Sequence, residues 1–214
     1  MLYYIYFILL IILLISILIP KLYQHYVIFK TLTSLCFMII TMINLYISNT
    51  THGNLLFIPI LFCFIGDIFL AIYNRYNKCF KLGLISFLLA HIFFVYNMCH
   101  ILPFKLVNII FPLIIVLFVY MLNNKKIINL QEKNIYCLIY AFFISLLLSK
   151  ALDIYLNIFS VQSYLLLIAS SLFFISDFIL LFMYFKKRNK ILHFINLLTY
   201  YLAIYFLTII LVLN

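Results

Sequence analysis

The chain has 214 residues, of which 69% are hydrophobic and only 8% charged, a balance that no soluble domain of this length needs to fill its core. It reads as an integral membrane protein. The formal net charge of +10 would suggest a polyanion partner in a soluble protein, but here the basic residues fall between apolar runs, where they act as topology signals, and no nucleic-acid partner is expected.

The apolar runs predict eight transmembrane helices, over 2–20, 27–48, 54–73, 80–101, 104–123, 134–151, 160–185 and 191–213. Each is about the length needed to cross a hydrocarbon layer roughly 30 Å thick, and with only three glycines and four prolines the pattern argues against a β-barrel. The fold class is all-α, a single transmembrane domain over 1–214. Residues 2–19 are apolar from the start, without a basic n-region or a small-residue cleavage site before Pro20, so a retained helix is expected and not a cleaved signal peptide. The odd-numbered connections carry Lys21, then Arg75, Lys78 and Lys81, then Lys125, Lys126 and Lys133, then Lys186, Lys187, Arg188 and Lys190. The even-numbered ones carry only Lys105 and Lys150, and Lys30 lies inside the second span. The positive-inside rule then turns both termini away from the cytoplasm.

Two acids break the apolar pattern. Asp67 sits within Phe62-Cys-Phe-Ile-Gly-Asp-Ile-Phe-Leu70, and Asp177 within Phe173-Phe-Ile-Ser-Asp-Phe-Ile-Leu180; intramembrane carboxylates are costly and usually line sites or pathways. Asp67 lies 8 residues before Arg75, Asp177 9 before Lys186, His91 10 after Lys81 and Lys30 9 after Lys21. At about 1.5 Å per residue all four fall roughly 12 to 15 Å inside the cytoplasmic boundary.

The aspartates are 110 residues apart, and the same offset carries Lys30 onto Tyr140 and His91 onto Tyr201. A four-helix unit repeated in unchanged orientation, with halves 1–103 and 104–214, accounts for this and predicts a pseudo-twofold axis along the membrane normal. The two aspartates are then expected to face one cavity, with Lys30, His91, Tyr140 and Tyr201 around them.

Other residues have plainer readings. Lys30 can snorkel toward headgroups, and His91 can serve an interhelical hydrogen bond. Asp153 and Glu132, beside Lys150 and Lys133, read as solvated connections. Gly83, Ser86 and Ala90 suit close helix packing. His25, His52 and His100 lie near span ends, and the five cysteines read as small core residues without a disulfide or zinc role. No metal is expected, since the acids and His91 come from different spans and no metal-binding helical pair is present. Phosphate-cradling glycine loops, a nucleophile elbow and dinucleotide or haem motifs are absent.

The ordered motifs Phe29-Lys30-Thr31-Leu32-Thr33, Gly66-Asp67, Gly83-Leu84-Ile85-Ser86-Phe87 with Ala90-His91, Ser170-Ser171 through Ser176-Asp177, and Tyr201 with Ala203 resemble the YhhN family of membrane proteins, which includes the lysoplasmalogenases. Thr31 replaces the family's proline, Phe94 its tyrosine after the histidine, and the glutamine usual after the last motif is replaced near Tyr205. The resemblance implies a hydrolase, without cofactor, that cleaves the vinyl ether of a lysoplasmalogen to a fatty aldehyde and a glycerophospho-base. It implies a single-chain alkenyl lysophospholipid as substrate, membrane lipids as surroundings and the bacterial inner (plasma) membrane as location.

The chemistry suits the residues. An enol ether is cleaved by protonation of its β-carbon, and water captures the resulting oxocarbenium ion. An apolar bundle favours the neutral form of a carboxyl, which can then act as the acid. A second carboxylate stabilises the cation and orients water, as in glycosidases. Asp67 and Asp177 are the catalytic candidates, and Lys30, His91, Tyr140 and Tyr201 the substrate-binding or positioning ones. Two other classes stay open on the residues alone: a proton-coupled transporter, since a helical repeat with central acids also describes a proton relay, and a non-enzymatic lipid-binding membrane protein.

Overall fold

In hydrocarbon the backbone must satisfy its own hydrogen bonds, and long apolar runs do so as helices. The computed structural model describes residues 2–48, 53–73, 76–130, 134–187 and 189–210. Among them the elements are α1 (Leu2–Leu18), the single turn α2 (Pro20–Tyr23), α3 (Tyr26–Ser48), α4 (Gly53–Ile72), α5 (Asn77–Ile101), a 3₁₀ turn (Leu106–Ile109), α6 (Ile110–Asn124), α7 (Asn134–Asn157), α8 (Val161–Phe185) and α9 (Lys190–Ile210). His52, Arg75, Glu132, Lys133 and Arg188, assigned above to connections or span ends, lie outside the described residues.

Among the described residues six helical segments are long and apolar enough to cross a membrane: Tyr26–Ile47, Lys78–Ile101, Leu106–Asn124, Asn134–Asn157, Val161–Phe185 and Lys190–Ile210. Leu2–Leu18 and Leu56–Ile72 are apolar but shorter. Ile8, Ile11 and Ile15 on α1, and Leu113, Ile114 and Leu117 on α6, are exposed. Such apolar faces are at home in hydrocarbon and not in water, and the protein is an integral membrane protein.

One boundary departs from expectation. α7 does not stop near residue 151 but runs to Asn157, so Lys150 and Asp153 are helical and not part of a solvated connection. Lys150 is fully buried, donating to the Pro103 carbonyl at 2.9 Å and pairing with Asp153 Oδ2 at 3.0 Å. Lys105 Nζ pairs with Asp153 Oδ1 at 3.2 Å, and the Asn157 amide donates to the Asp153 carbonyl and carboxylate. The charges that mimicked a helix end neutralise one another and pin the segment after α5 onto α7.

The chain divides into two compact units, one of residues 1–93 with 204–214 and the other of 94–203. In the first, α3 packs against both α1 and α4. Gly66 on α4 allows the close approach of α5, since a Cβ there would lie 2.7 Å from the Phe87 ring; a Cβ on Gly83 would lie 2.8 Å from Leu70. The Asn44 amide donates to the Tyr3 hydroxyl and to the Thr208 carbonyl, both at 2.8 Å. Tyr205 meets Tyr3, Tyr6 and Phe7 ring to ring.

In the second unit α7 packs against α6 and α8. Ser160 caps α8 by accepting from the Ser163 N–H, while the Ser163 hydroxyl accepts from the Ser160 N–H, the reciprocal arrangement that stabilises a helix start. Ser176 and Asn196 join α8 to α9, the Asn196 amide donating to the Ser176 carbonyl at 2.8 Å and to its hydroxyl at 2.9 Å. Ile128 and Leu130 in the α6–α7 connection are buried with Val119 and Cys137, and Lys126 takes the left-handed conformation that turns the chain back, φ 56°.

Candidate functional site

The first unit contains an ion pair in its apolar interior. Lys30 on α3 and Asp67 on α4 stand with Nζ 3.1 Å from Oδ1, their side chains 5% and 1% exposed. Ser34 donates to the other oxygen, Oδ2, at 2.7 Å. Lys30 and Ser34 are four residues apart on α3, hence on one face of the helix, and both address the same carboxylate. This answers the snorkelling alternative: Lys30 does not reach for headgroups but lies 4% exposed against an acid. An ammonium and a hydroxyl on its two oxygens fix the orientation of the Asp67 side chain, because buried polar groups persist only when paired and hydrogen-bonded.

Ser34 was not among the residues singled out from sequence. Its spacing of four from Lys30 is the signal that could have found it. Hydroxyls on membrane helices more often bond back to their own helix, as Thr33 does to the Phe29 carbonyl and Thr41 to that of Phe37, each at 2.8 Å.

The second unit contains a related pair. Tyr140 on α7 donates its phenol to Asp177 Oδ2 on α8 at 2.6 Å, with both side chains buried. Seven residues before Asp177 on the same helix, the buried Ser170 hydroxyl has no hydrogen-bond partner among the described residues. A buried polar group in that condition is one that a water or a ligand is placed to satisfy.

Of the other candidates, His91 is fully buried on α5 in the first unit. Tyr201 is fully buried on α9 in the second, its ring edge-on to Tyr200 with centroids 4.8 Å apart. Phe94, standing where a tyrosine was expected, is buried and meets Phe173 edge-on. The structure thus joins Lys30 with Asp67 and Tyr140 with Asp177. No group of three or more His, Cys, Asp or Glu suited to a metal ion occurs among the described residues.

Each unit thus contains a buried aspartate, Asp67 in the first and Asp177 in the second, and the two have different company. Asp67 accepts from a cation and an alcohol, Asp177 from a phenol. A fixed carboxylate can stabilise positive charge developing on a substrate, and a carboxyl near an acceptor can carry a proton to it.

Comparison with known proteins adds the family. The model of the YhhN family matches residues 25–211, a stretch that includes both pairs. No curated protein and no solved structure matches the chain.

Proposed function

This chain belongs to the YhhN family, and from that premise we propose that it is a membrane-embedded hydrolase cleaving the vinyl ether of a lysoplasmalogen to a fatty aldehyde and a glycerophospho-base. The observation that carries the reading is the carboxylate built into the apolar interior, Asp67 with Lys30 at 3.1 Å and Ser34 at 2.7 Å. Asp67, held ionised, stabilises the oxocarbenium ion and orients water. Asp177 is the proton donor, because a carboxylate already paired to an ammonium is a poor one.

The atoms balance. Asp177 gives its proton to the vinyl β-carbon, and water adds to the cationic α-carbon and loses a proton to a carboxylate. The resulting hemiacetal then breaks its C–O bond to the glycerol, yielding aldehyde and alcohol. Tyr140, bonded to Asp177 Oδ2, fixes the acid's rotamer. The Ser170 hydroxyl on the same helix holds water or the glycerol hydroxyl, and His91 and Tyr201 are positioning residues.

The reading includes eight spans, both termini away from the cytoplasm, and a repeat of four helices. Support for the repeat is that α3 and α7 occupy the same place, each between two neighbours. The offset of 110 also relates the contact Lys30–Asp67 to the contact Tyr140–Asp177. The test is aldehyde release from lysoplasmenylethanolamine by purified wild type, Asp67→Asn and Asp177→Asn. Both variants should lose nearly all turnover while staying folded, and wild-type rates in both would reject the proposal.

A further inference from the structure

Between the end of α8 and the start of α9 lies a groove of ≈ 640 Å³. That is within the range of about 300–1,000 Å³ typical of small-molecule sites. Its walls divide by chemistry. Phe178 and Phe182 of α8 and Leu192 of α9 are apolar, whereas Lys186, Lys187 and Lys190 are cationic. None of the described residues lining it is acidic.

The apolar floor is fixed. Phe178 stacks on Phe118 of α6 with centroids 6.2 Å apart and meets Phe182 edge-on at 5.3 Å. Phe182 also packs on the buried cluster of Val119, Ile128, Leu130 and Cys137. The basic end is held as firmly. The N–H groups of Lys186 and Lys187 both donate to the Phe182 carbonyl, at 3.0 and 3.2 Å, and the Asn129 N–H donates to the Phe185 carbonyl at 3.0 Å. The Asn189 side chain accepts from the Ile191 N–H at 2.9 Å and so starts α9. Lys186 Nζ lies 6.0 Å from the centre of the Phe182 ring, which brings a cation to the edge of the apolar floor.

Three ammonium groups beside one groove repel one another unless an anion lies among them, and a floor of aromatic rings is wasted on an inorganic ion. A molecule that is anionic at one end and aliphatic at the other matches both walls, and basic pockets between transmembrane helices are known hosts for anionic headgroups. We propose that the α8–α9 groove binds one anionic phospholipid of the surrounding bilayer, its phosphate among Lys186, Lys187 and Lys190 and an acyl chain along Phe178 and Phe182. This lipid is not the substrate of the proposed hydrolysis. Lys186 directly follows the last residue of α8, nine residues beyond Asp177, roughly 13 Å along the helix axis, farther than the three carbons of a glycerol reach. The inference stands apart from the catalytic reading, and its test does not involve turnover.

Native mass spectrometry of the purified full chain, titrated with phosphatidylglycerol or phosphatidylcholine, decides it. Wild type should retain one phosphatidylglycerol. The triple variant Lys186→Gln/Lys187→Gln/Lys190→Gln should bind it roughly a hundredfold more weakly, since each lysine near an anionic headgroup contributes about a fivefold factor. The exposed lysines of the control triple Lys78→Gln/Lys81→Gln/Lys125→Gln should be dispensable. Lys187→Gln alone should weaken binding about fivefold and Phe182→Ala should weaken it further, which keeps the proposal testable if the triple variant does not fold. Equal losses in both triples would mean bulk charge attraction only. Displacement by inorganic phosphate at matching concentration would mean a free-anion site. Equal retention of phosphatidylcholine would remove the role of the lysines. Any of these three results overturns the proposal.

Discussion

Replacing Lys30 with Met keeps most of the side chain's volume and removes its charge. The partner, Asp67, is 1% exposed and would be left with Ser34 at 2.7 Å as its remaining donor of the two described. Breaking one side of a buried pair costs about 3–5 kcal/mol, because the desolvated partner charge is no longer compensated. Asp67→Asn should cost a similar amount by removing the carboxylate that faces the ammonium. The double variant Lys30→Met/Asp67→Leu carries neither charge, and apolar replacements of buried pairs range from neutral to about 1–4 kcal/mol stabilising. Ser34 can then bond back to its own helix, as Thr33 and Thr41 do. The double variant should therefore be more stable than either single one. Equilibrium unfolding in mixed micelles, followed by circular dichroism, gives the cycle. If the double variant loses as much as the two singles combined, the charges do not compensate one another and the reasoning fails. The same protein separates structure from chemistry: folded but charge-free, it should release no aldehyde.

Tyr140→Phe removes the phenol from Asp177 and should cost about 1–3 kcal/mol in unfolding, with aldehyde release reduced but not abolished; a rate equal to wild type would show the phenol to be dispensable. Gly66→Ala places a methyl 2.7 Å from the Phe87 ring and should destabilise by about 1–3 kcal/mol, with partial recovery when Phe87→Leu is added; calorimetry reads both. On α7, Lys150→Met should cost about 3–5 kcal/mol because the lysine is fully buried. Lys105→Gln, whose side chain is 45% exposed in its pair with Asp153, should cost under about 1 kcal/mol. Similar losses from these two lysines would contradict the burial difference.

Most helix positions were legible because hydropathy and backbone satisfaction in lipid leave one solution for a long apolar run. The end of α7 was not. Lys150 and Asp153 look like a solvated boundary in one dimension, and only the fold reveals that they neutralise each other and that Lys105 joins them. That Asp67 and Asp177 would each have a polar partner was legible from cost, since a lone carboxyl in hydrocarbon demands one. The identity of that partner was hinted at by the offset of 110 but required the packing of α3 on α4 and of α7 on α8. Ser34 was legible only through its spacing of four from Lys30, and Ser170 only as part of an ordered motif, because a hydroxyl on a membrane helix ordinarily satisfies itself.

The bond from Asn44 to the Thr208 carbonyl bears on how the protein is made. The two residues are 164 positions apart, and the unit that contains α3 also takes in residues 204–214. At synthesis rates of about 5–20 residues per second, the Asn44 amide waits roughly 10 to 30 s for that acceptor. During this interval the earlier helices are already apolar enough to leave the translocon, yet their bundle lacks its closing turns. The completion of this unit is a late event in biogenesis, set by the arrival of the last turns of α9.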